Sequence, residues 1–106
     1  MKIGIVAIVG PHDLPYVKEW LEYHWALGMT DAFLFLNDWR DEQVAELEKL
    51  IGTIPIYVRM IRFDGLAKQL EADNIGIKLC LEQGIDWAAF IDVDEFLRIR
   101  STRTLT

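Results

Sequence analysis

Apolar residues along this chain alternate between two periods. Ile3-Gly4-Ile5-Val6-Ala7-Ile8-Val9 is a continuous run rich in β-branched side chains, the pattern of a strand covered on both faces. Gly10-Pro11 breaks it. Val17, Trp20, Leu21, His24 and Leu27 then recur at helical spacing, and Gly28 supplies a left-handed stop. This predicts an amphipathic helix over 14–27, with Asp13 as N-cap and Pro15 in the first turn, where its missing N–H costs nothing. Ala32 to Leu36 reads as a second buried strand, followed at once by the polar Asn37-Asp38-Trp39-Arg40. Val44, Leu47, Leu50 and Ile51 mark a second helix from an N-cap near Asp41 to Gly52. Ile54 to Ile61 is β-branched and aromatic, with Pro55 favouring an outer position or a strand start. Leu66, Leu70, Ile77 and Leu81 mark a third helix ending at Gly84, although Asn74 and Gly76 are weak helix formers in its middle. Trp87 to Ile91 closes the series as a buried strand.

The order β-α-β-α-β-α-β predicts a three-layer α/β/α, Rossmann-like domain. Right-handed crossovers join mainly parallel strands, with helices on both faces. No repeat, linker or low-complexity segment interrupts residues 1–106, so one domain is expected.

Composition narrows the function classes. With 52% hydrophobic residues and three prolines, disorder is not expected. A formal net charge of -6 leaves no basic excess to neutralise a phosphate backbone, so a nucleic-acid partner is not expected despite Arg98, Arg100 and Arg103 near the end. Cys80 is the single cysteine, which removes any internal disulfide or cysteine-based zinc site. No apolar stretch approaches a membrane span, and the opening strand lacks a leader cleavage pattern. Together these fit a reducing compartment, and a cytoplasmic location is the expectation.

The chemistry concentrates at the end of the last strand. Trp87-Ala-Ala-Phe-Ile91 runs into Asp92-Val93-Asp94-Glu95, three carboxylates within four positions. Acids this close repel unless a cation or a proton relieves them, and oxygen ligands suit a hard divalent ion such as Mg²⁺ or Mn²⁺. If the four strands are parallel, the segments at 10–13, 37–40, 62–65 and 92–95 open on one edge of the sheet, where open α/β sheets bind ligands. They bring Pro11-His12-Asp13, Asn37-Asp38-Trp39-Arg40, Arg62-Phe63-Asp64 and the acids together as a polar crescent suited to a nucleoside diphosphate, with a base against backbone and Trp39. No glycine-rich phosphate loop is present, which leaves the phosphates to a metal.

Four stretches, His12-Asp13, Tyr16-Val-Lys-Glu-Trp20-Leu-Glu-Tyr23-His24-Trp-Ala-Leu-Gly28, Phe35-Leu-Asn37-Asp38 and Trp87-Ala-Ala-Phe-Ile-Asp92-Val-Asp94-Glu95-Phe96, resemble in their order the family-2-type glycosyltransferases with the GT-A fold. The resemblance runs from Ile3 to Leu97 and implies the N-terminal, nucleotide-sugar-binding half of such an enzyme. With the alternating pattern, it implies strand order 3-2-1-4. It also implies that Asp94 coordinates the metal on the diphosphate and that Asp92 contacts ribose or donor sugar beside it. Asn37 or Asp38 would face base and ribose, and Gln69 and Asn74 are second-rank donor-site candidates. The sugar acceptor, whether glycan, lipid or protein, is not specified.

Three departures from the family pattern bear on these roles. Pro11-His12-Asp13 stands where Lys-Asn-Glu is usual, and Asn37-Asp38-Trp39-Arg40 lacks the usual Ser and is about one residue shorter. The chain also ends nine residues after Leu97, before the acceptor half and the general base of inverting members. That suggests a truncated transferase or a remnant that binds without turnover, with an exposed sheet edge inviting self-association. Two other classes fit the acidic stretch: a metal-dependent phosphotransfer or phosphatase-type domain, and a non-catalytic binding module.

Other residues carry plainer expectations. His24 reads as a hydrogen-bonded packing residue, Trp20 and Trp87 as core, and Cys80 as a small buried hydrophobe. His12 reads as a loop or nucleotide contact. Trp39 is open between a ring-stacking group and a flap over the neighbouring helix.

Overall fold

The computed structural model describes residues 1–63 and 69–96, without the side chains of Gln69 and Leu70. Asp64, Leu66 and the Arg98, Arg100 and Arg103 cluster therefore lie outside the described residues. Four strands, β1 (Ile3–Val9), β2 (Asp31–Asn37), β3 (Tyr57–Phe63) and β4 (Trp87–Phe90), alternate with α1 (Leu14–Ala26), α2 (Asp41–Ile51) and α3 (Gln69–Glu82). All pairings are parallel and the order is β3-β2-β1-β4, as the alternating pattern and the resemblance imply. Val6 of β1 lies beside Phe33 of β2 and Phe90 of β4, so the carboxyl ends open on one edge.

The period-two alternation of β1 and β2 divides the core between the two faces. Ile5, Ala7, Val9, Ala32, Leu34 and Leu36 pack with Val17, Trp20 and Leu21 of α1 and with Leu47 and Ile51 of α2. Val6, Phe33 and Phe35 point the other way, against Ala72 and Cys80 of α3. Cys80 is thus a packing residue whose thiol pKa is raised by burial first and by the Asp31 charge second. Helix α1 ends as its sequence suggests: Gly28 takes φ +108° and the Met29 N–H returns to the His24 carbonyl at 3.0 Å. Gly76 also finds its reason here. A Cβ at this position would lie 2.9 Å from Val6 Cγ1 and 3.4 Å from the Phe90 ring, so the absent side chain lets α3 settle onto the sheet.

Two local expectations are corrected, the bounds of the third strand and the burial of the last, while both helix starts fall where expected. The third strand is Tyr57–Phe63 rather than 54–61, because Ile54 and Ile56 are apolar for burial in the core and not for ladder pairing. Asp13 is the N-cap residue of α1, as expected, but its side chain makes no cap bond to the helix. Instead its Oδ2 accepts the Gly10 N–H at 3.0 Å, closing a 3-10 turn over Pro11–Asp13 that leads into the helix. Helix α2 runs from Asp41 to Ile51 with Gly52 at its cap, as expected, with Arg40 as N-cap residue and its N–H taken by Gln43 Oε1 at 2.9 Å. The last strand is not buried: Trp87 is 67% and Phe90 41% exposed. β4 lies at the edge of the sheet among the described residues, and Trp87 is exposed there despite its apolar neighbourhood in sequence.

Candidate functional site

The carboxyl edge of β1, β2 and β4 encloses a cavity of about 270–290 Å³ on each side of the segment that follows β4. The polar one, about 290 Å³, is lined by Ile8, Gly10, His12, Asp13, Asn37, Asp92 and Asp94. Five sequence-predicted site residues therefore share one cavity. Asp38, the residue after Asn37, is not part of this lining and takes φ +58°, a left-handed conformation that Asp tolerates better than most residues. Its N–H is held by the Phe63 carbonyl at 3.0 Å. Asn74 is exposed on α3 and is not part of this lining. Gln69 begins α3, and its side chain lies outside the described residues.

The acidic segment owes its shape to the residues between the acids. Val93 is 3% exposed and belongs to the α1-side core, so Asp92 and Asp94 flank an anchored apolar side chain and are themselves held at the surface. Asp92 N–H donates to Glu95 Oε1 at 2.8 Å and Glu95 N–H to the Asp92 carbonyl at 2.9 Å, a reciprocal pair that closes the turn. Helix α1 supports it from below. The Trp20 indole N–H donates to the Glu95 carbonyl at 2.8 Å. Tyr23 packs edge-on to Phe96 at 5.0 Å and His24 stacks with it at 6.0 Å. His24 is fully buried, and its Nδ1 donates to the Trp20 carbonyl at 2.8 Å. Desolvation lowers its pKa, opposed in part by that backbone bond. It is a packing residue, as expected.

Electrostatically the cavity is short of positive charge. Asp92 has a raised pKa, first from desolvation and then from Glu95, Asp94 and Asp13, so three other carboxylates lie close enough to act on it. Among the described residues no group of three or more His, Cys, Asp or Glu side chains is placed to hold a metal ion by itself. Two carboxylates completed by phosphate oxygens and water is, however, the usual way a protein holds Mg²⁺ with a phosphorylated ligand, and hard oxygen donors fit Mg²⁺ or Mn²⁺. One polar atom is also unspent: Asn37 Oδ1 is buried with no hydrogen-bond partner among the described residues. A buried acceptor left this way costs about 1–3 kcal/mol, a cost that a ligand's N–H or O–H donor in the cavity would remove.

Two members of the expected crescent do not face a ligand. Trp39 is 4% exposed and its indole donates to the Val9 carbonyl at 2.7 Å. It roofs the end of β1 as part of the core, so it offers no face to a base. Arg62 is tied to Asp41 Oδ1 at 2.7 Å and also donates to the Trp39 carbonyl, a brace between β3 and the start of α2. Sequence reading also passed over a group on the opposite side of the acidic turn. Tyr16, Glu19, Val93 and Phe96 join Asp13 and Asp94 around a second hollow of about 270 Å³. The signal was present in the i, i+3 spacing of Tyr16 and Glu19, which puts them on one side of α1.

Fold and site together define a parallel α/β domain with an acidic cavity at the carboxyl edge of its sheet. Over 90 residues, 85% of this chain, it is 27% identical to a glycosyltransferase family 92 protein of Oryza sativa subsp. japonica. The aligned region covers 15% of that relative's length. No protein-family model and no solved structure matches the chain. Among the described residues no helix is long and apolar enough to cross a membrane.

Proposed function

We propose that this chain is the nucleotide-sugar-binding part of a glycosyltransferase. It would take a nucleoside-diphospho-sugar donor in the cavity between His12, Asn37 and the acidic turn, for transfer of the sugar to a glycan, lipid or protein acceptor. The observation that carries the reading is the convergence of His12, Asp13, Asn37, Asp92 and Asp94 on one cavity that holds both mutually repelling carboxylates and an unpartnered buried acceptor. Similarity to a glycosyltransferase over most of the chain supports the same class, and the four ordered stretches support a GT-A, family-2-like arrangement within it.

Each residue has a role that follows from its chemistry. Asp94, with Asp92 beside it, would hold Mn²⁺ or Mg²⁺, and the cation would supply positive charge for the diphosphate. Asn37 Oδ1 would accept from a base N–H or a ribose hydroxyl, with Asp38 next to it. Asp13 is oriented by the Gly10 N–H and adds acceptor capacity on the β1 side, while His12, 84% exposed at its side chain and 3.4 Å from Asp13, is free to swing over the nucleotide. Cation and nucleotide should support each other's binding, because each satisfies groups the other leaves uncompensated.

Titration calorimetry of UDP and GDP, with and without Mn²⁺, tests this. Wild type should bind at least one of them in a Mn²⁺-dependent way, and Asp94→Ala should lose that binding while keeping its unfolding midpoint. Binding indifferent to Mn²⁺, or unchanged in Asp94→Ala, would leave the acidic turn as a solvated strand end.

A further inference from the structure

We infer that the hollow lined by Asp13, Tyr16, Glu19, Val93, Asp94 and Phe96 is a subsite for a single pyranose ring. This rests on the nucleotide-sugar reading above and deepens it by giving the sugar a place built largely on α1. The two cavities share Asp13 and Asp94, so a molecule in one lies beside the carboxylates that border the other. Their linings differ in kind. Each is lined by three carboxylates, but the nucleotide cavity adds main-chain, amide and imidazole groups, whereas the second hollow adds two aromatic rings and one valine.

That set selects a ligand by what it lacks. Apart from the Tyr16 hydroxyl its side chains offer no hydrogen-bond donor, so a phosphate or carboxylate would be repelled. The occupant must bring its own donors together with an apolar face. A pyranose does both: its ring C–H groups can lie on Tyr16 or Phe96 while its hydroxyls donate to Asp13, Glu19 or Asp94. At about 270 Å³ the hollow falls below the roughly 300–1,000 Å³ typical of drug-sized ligands, a scale that suits one ring. Phe96 is pre-set for the task. Tyr23 meets it edge-on and His24 stacks with it, yet it stays 41% exposed, and Tyr16 is 61% exposed. Large aromatic rings held in place and left uncovered are surfaces for a partner.

The ring could belong to the donor or to an acceptor, and the experiment separates the two. Titrations with Mn²⁺ present would compare UDP and GDP with UDP-glucose, UDP-galactose, UDP-N-acetylglucosamine and GDP-mannose. The methyl glycosides of the same sugars would be titrated into protein preloaded with UDP or GDP. Tyr16→Ala and Glu19→Gln alter exposed positions, and their unfolding midpoints should match wild type. If the ring is the donor's, both variants bind nucleotide-sugars about three- to tenfold more weakly and bind free UDP or GDP as wild type does. If it is an acceptor's, the same loss falls on the methyl glycosides alone.

The inference is overturned if both variants bind every nucleotide-sugar and every glycoside as wild type does. Equal weakening of free nucleotide and nucleotide-sugar overturns it too, as does displacement of bound glycoside by tetramethylammonium at equal concentration, since the rings and carboxylates would then form a cation site. Absence of any Mn²⁺-dependent nucleotide binding in wild type would instead remove the reading on which it rests.

Discussion

The indole N–H of Trp20 and the carbonyl oxygen of Glu95 meet at 2.8 Å across 75 positions of sequence. Through that bond the buried face of α1 carries the acidic turn, and Tyr23 and His24 clamp Phe96 just beyond it. The Glu-Trp-x-x-Tyr-His stretch and the Asp-Val-Asp-Glu-Phe stretch are thus two halves of one assembly, with the aromatic half as platform and the acidic half as cargo.

Trp20→Phe should therefore affect the site as well as the core. It removes the indole donor and part of a fully buried ring, for an expected loss of ~1–3 kcal/mol. Mn²⁺-dependent nucleotide affinity should fall more than in a core control destabilised at least as much, such as Leu47→Ala on α2. Denaturant unfolding and calorimetry on both variants check this. Equal affinities would mean that the turn keeps its shape without the indole.

His24 gives the fold an acid-sensitive point. Its folded-state pKa lies below the ordinary 6.5, because burial disfavours the charged ring. The unfolded chain therefore binds the proton more readily, and stability contributed by neutral His24 is present above about pH 6.5 and is lost as pH falls from there to the folded pKa. Asp92, with a raised pKa, works in the opposite sense, since protonation relieves its neighbours' repulsion as pH falls towards the ordinary carboxylate range. Its exposure to solvent keeps that effect small. The unfolding midpoint of wild type should drop on acidification from pH 7 to 5.5, and His24→Gln should flatten the drop. An identical profile in the variant would assign the sensitivity to another group.

Much of this architecture was legible because the runs in β1 and β2 are apolar on both faces, and strands of that kind with helices between them admit few parallel arrangements. The candidate site was legible in part for the same reason: a parallel sheet sends the ends of β1, β2 and β4 to one edge, so His12, Asp13, Asn37, Asp92 and Asp94 meet without any detailed knowledge of packing. What periodicity does not encode is how a loop folds back or which strand is left uncovered. Trp39 sits among polar neighbours, yet the chain turns there over the end of β1 and buries the ring. Trp87 sits in an apolar run, yet its strand lies at the sheet margin and the ring is exposed. The Trp20 to Glu95 bond had a faint sign, since a buried indole N–H needs an acceptor, but nothing local points to one on the far side of the sequence.

Gly76→Ala should destabilise the fold even though alanine is the better helix former by about 1 kcal/mol. The new methyl would lie 2.9 Å from Val6 Cγ1, and overpacking of this kind costs about 1–3 kcal/mol. Combined with Val6→Ala, which clears the space, the penalty should shrink. A double-mutant cycle by denaturant unfolding would show coupling between the two positions. Additive effects would mean that α3 shifts away from the sheet at little cost.

The last expectation concerns the two margins of the sheet, which differ. At the β3 margin Arg59 and Arg62 are exposed along the strand, and charges on an edge strand discourage pairing with another chain. β4 has no charged residue: Trp87, Ala88, Ala89 and Phe90 are all apolar, and among the described residues only β1 pairs with it. Ile77 and Leu81, one helical turn apart on α3, are also exposed. An uncharged strand margin with exposed aromatic rings is the kind of edge through which copies of a chain associate, so sedimentation velocity should show weight-average mass rising with concentration. Trp87→Lys, which puts a charge on that edge and removes the most exposed ring of the strand, should return the protein to a single monomeric boundary, whereas Tyr57→Lys on β3 should not. A wild-type boundary that stays monomeric over the full concentration range, or association that Trp87→Lys leaves intact, would assign β4 no part in self-association.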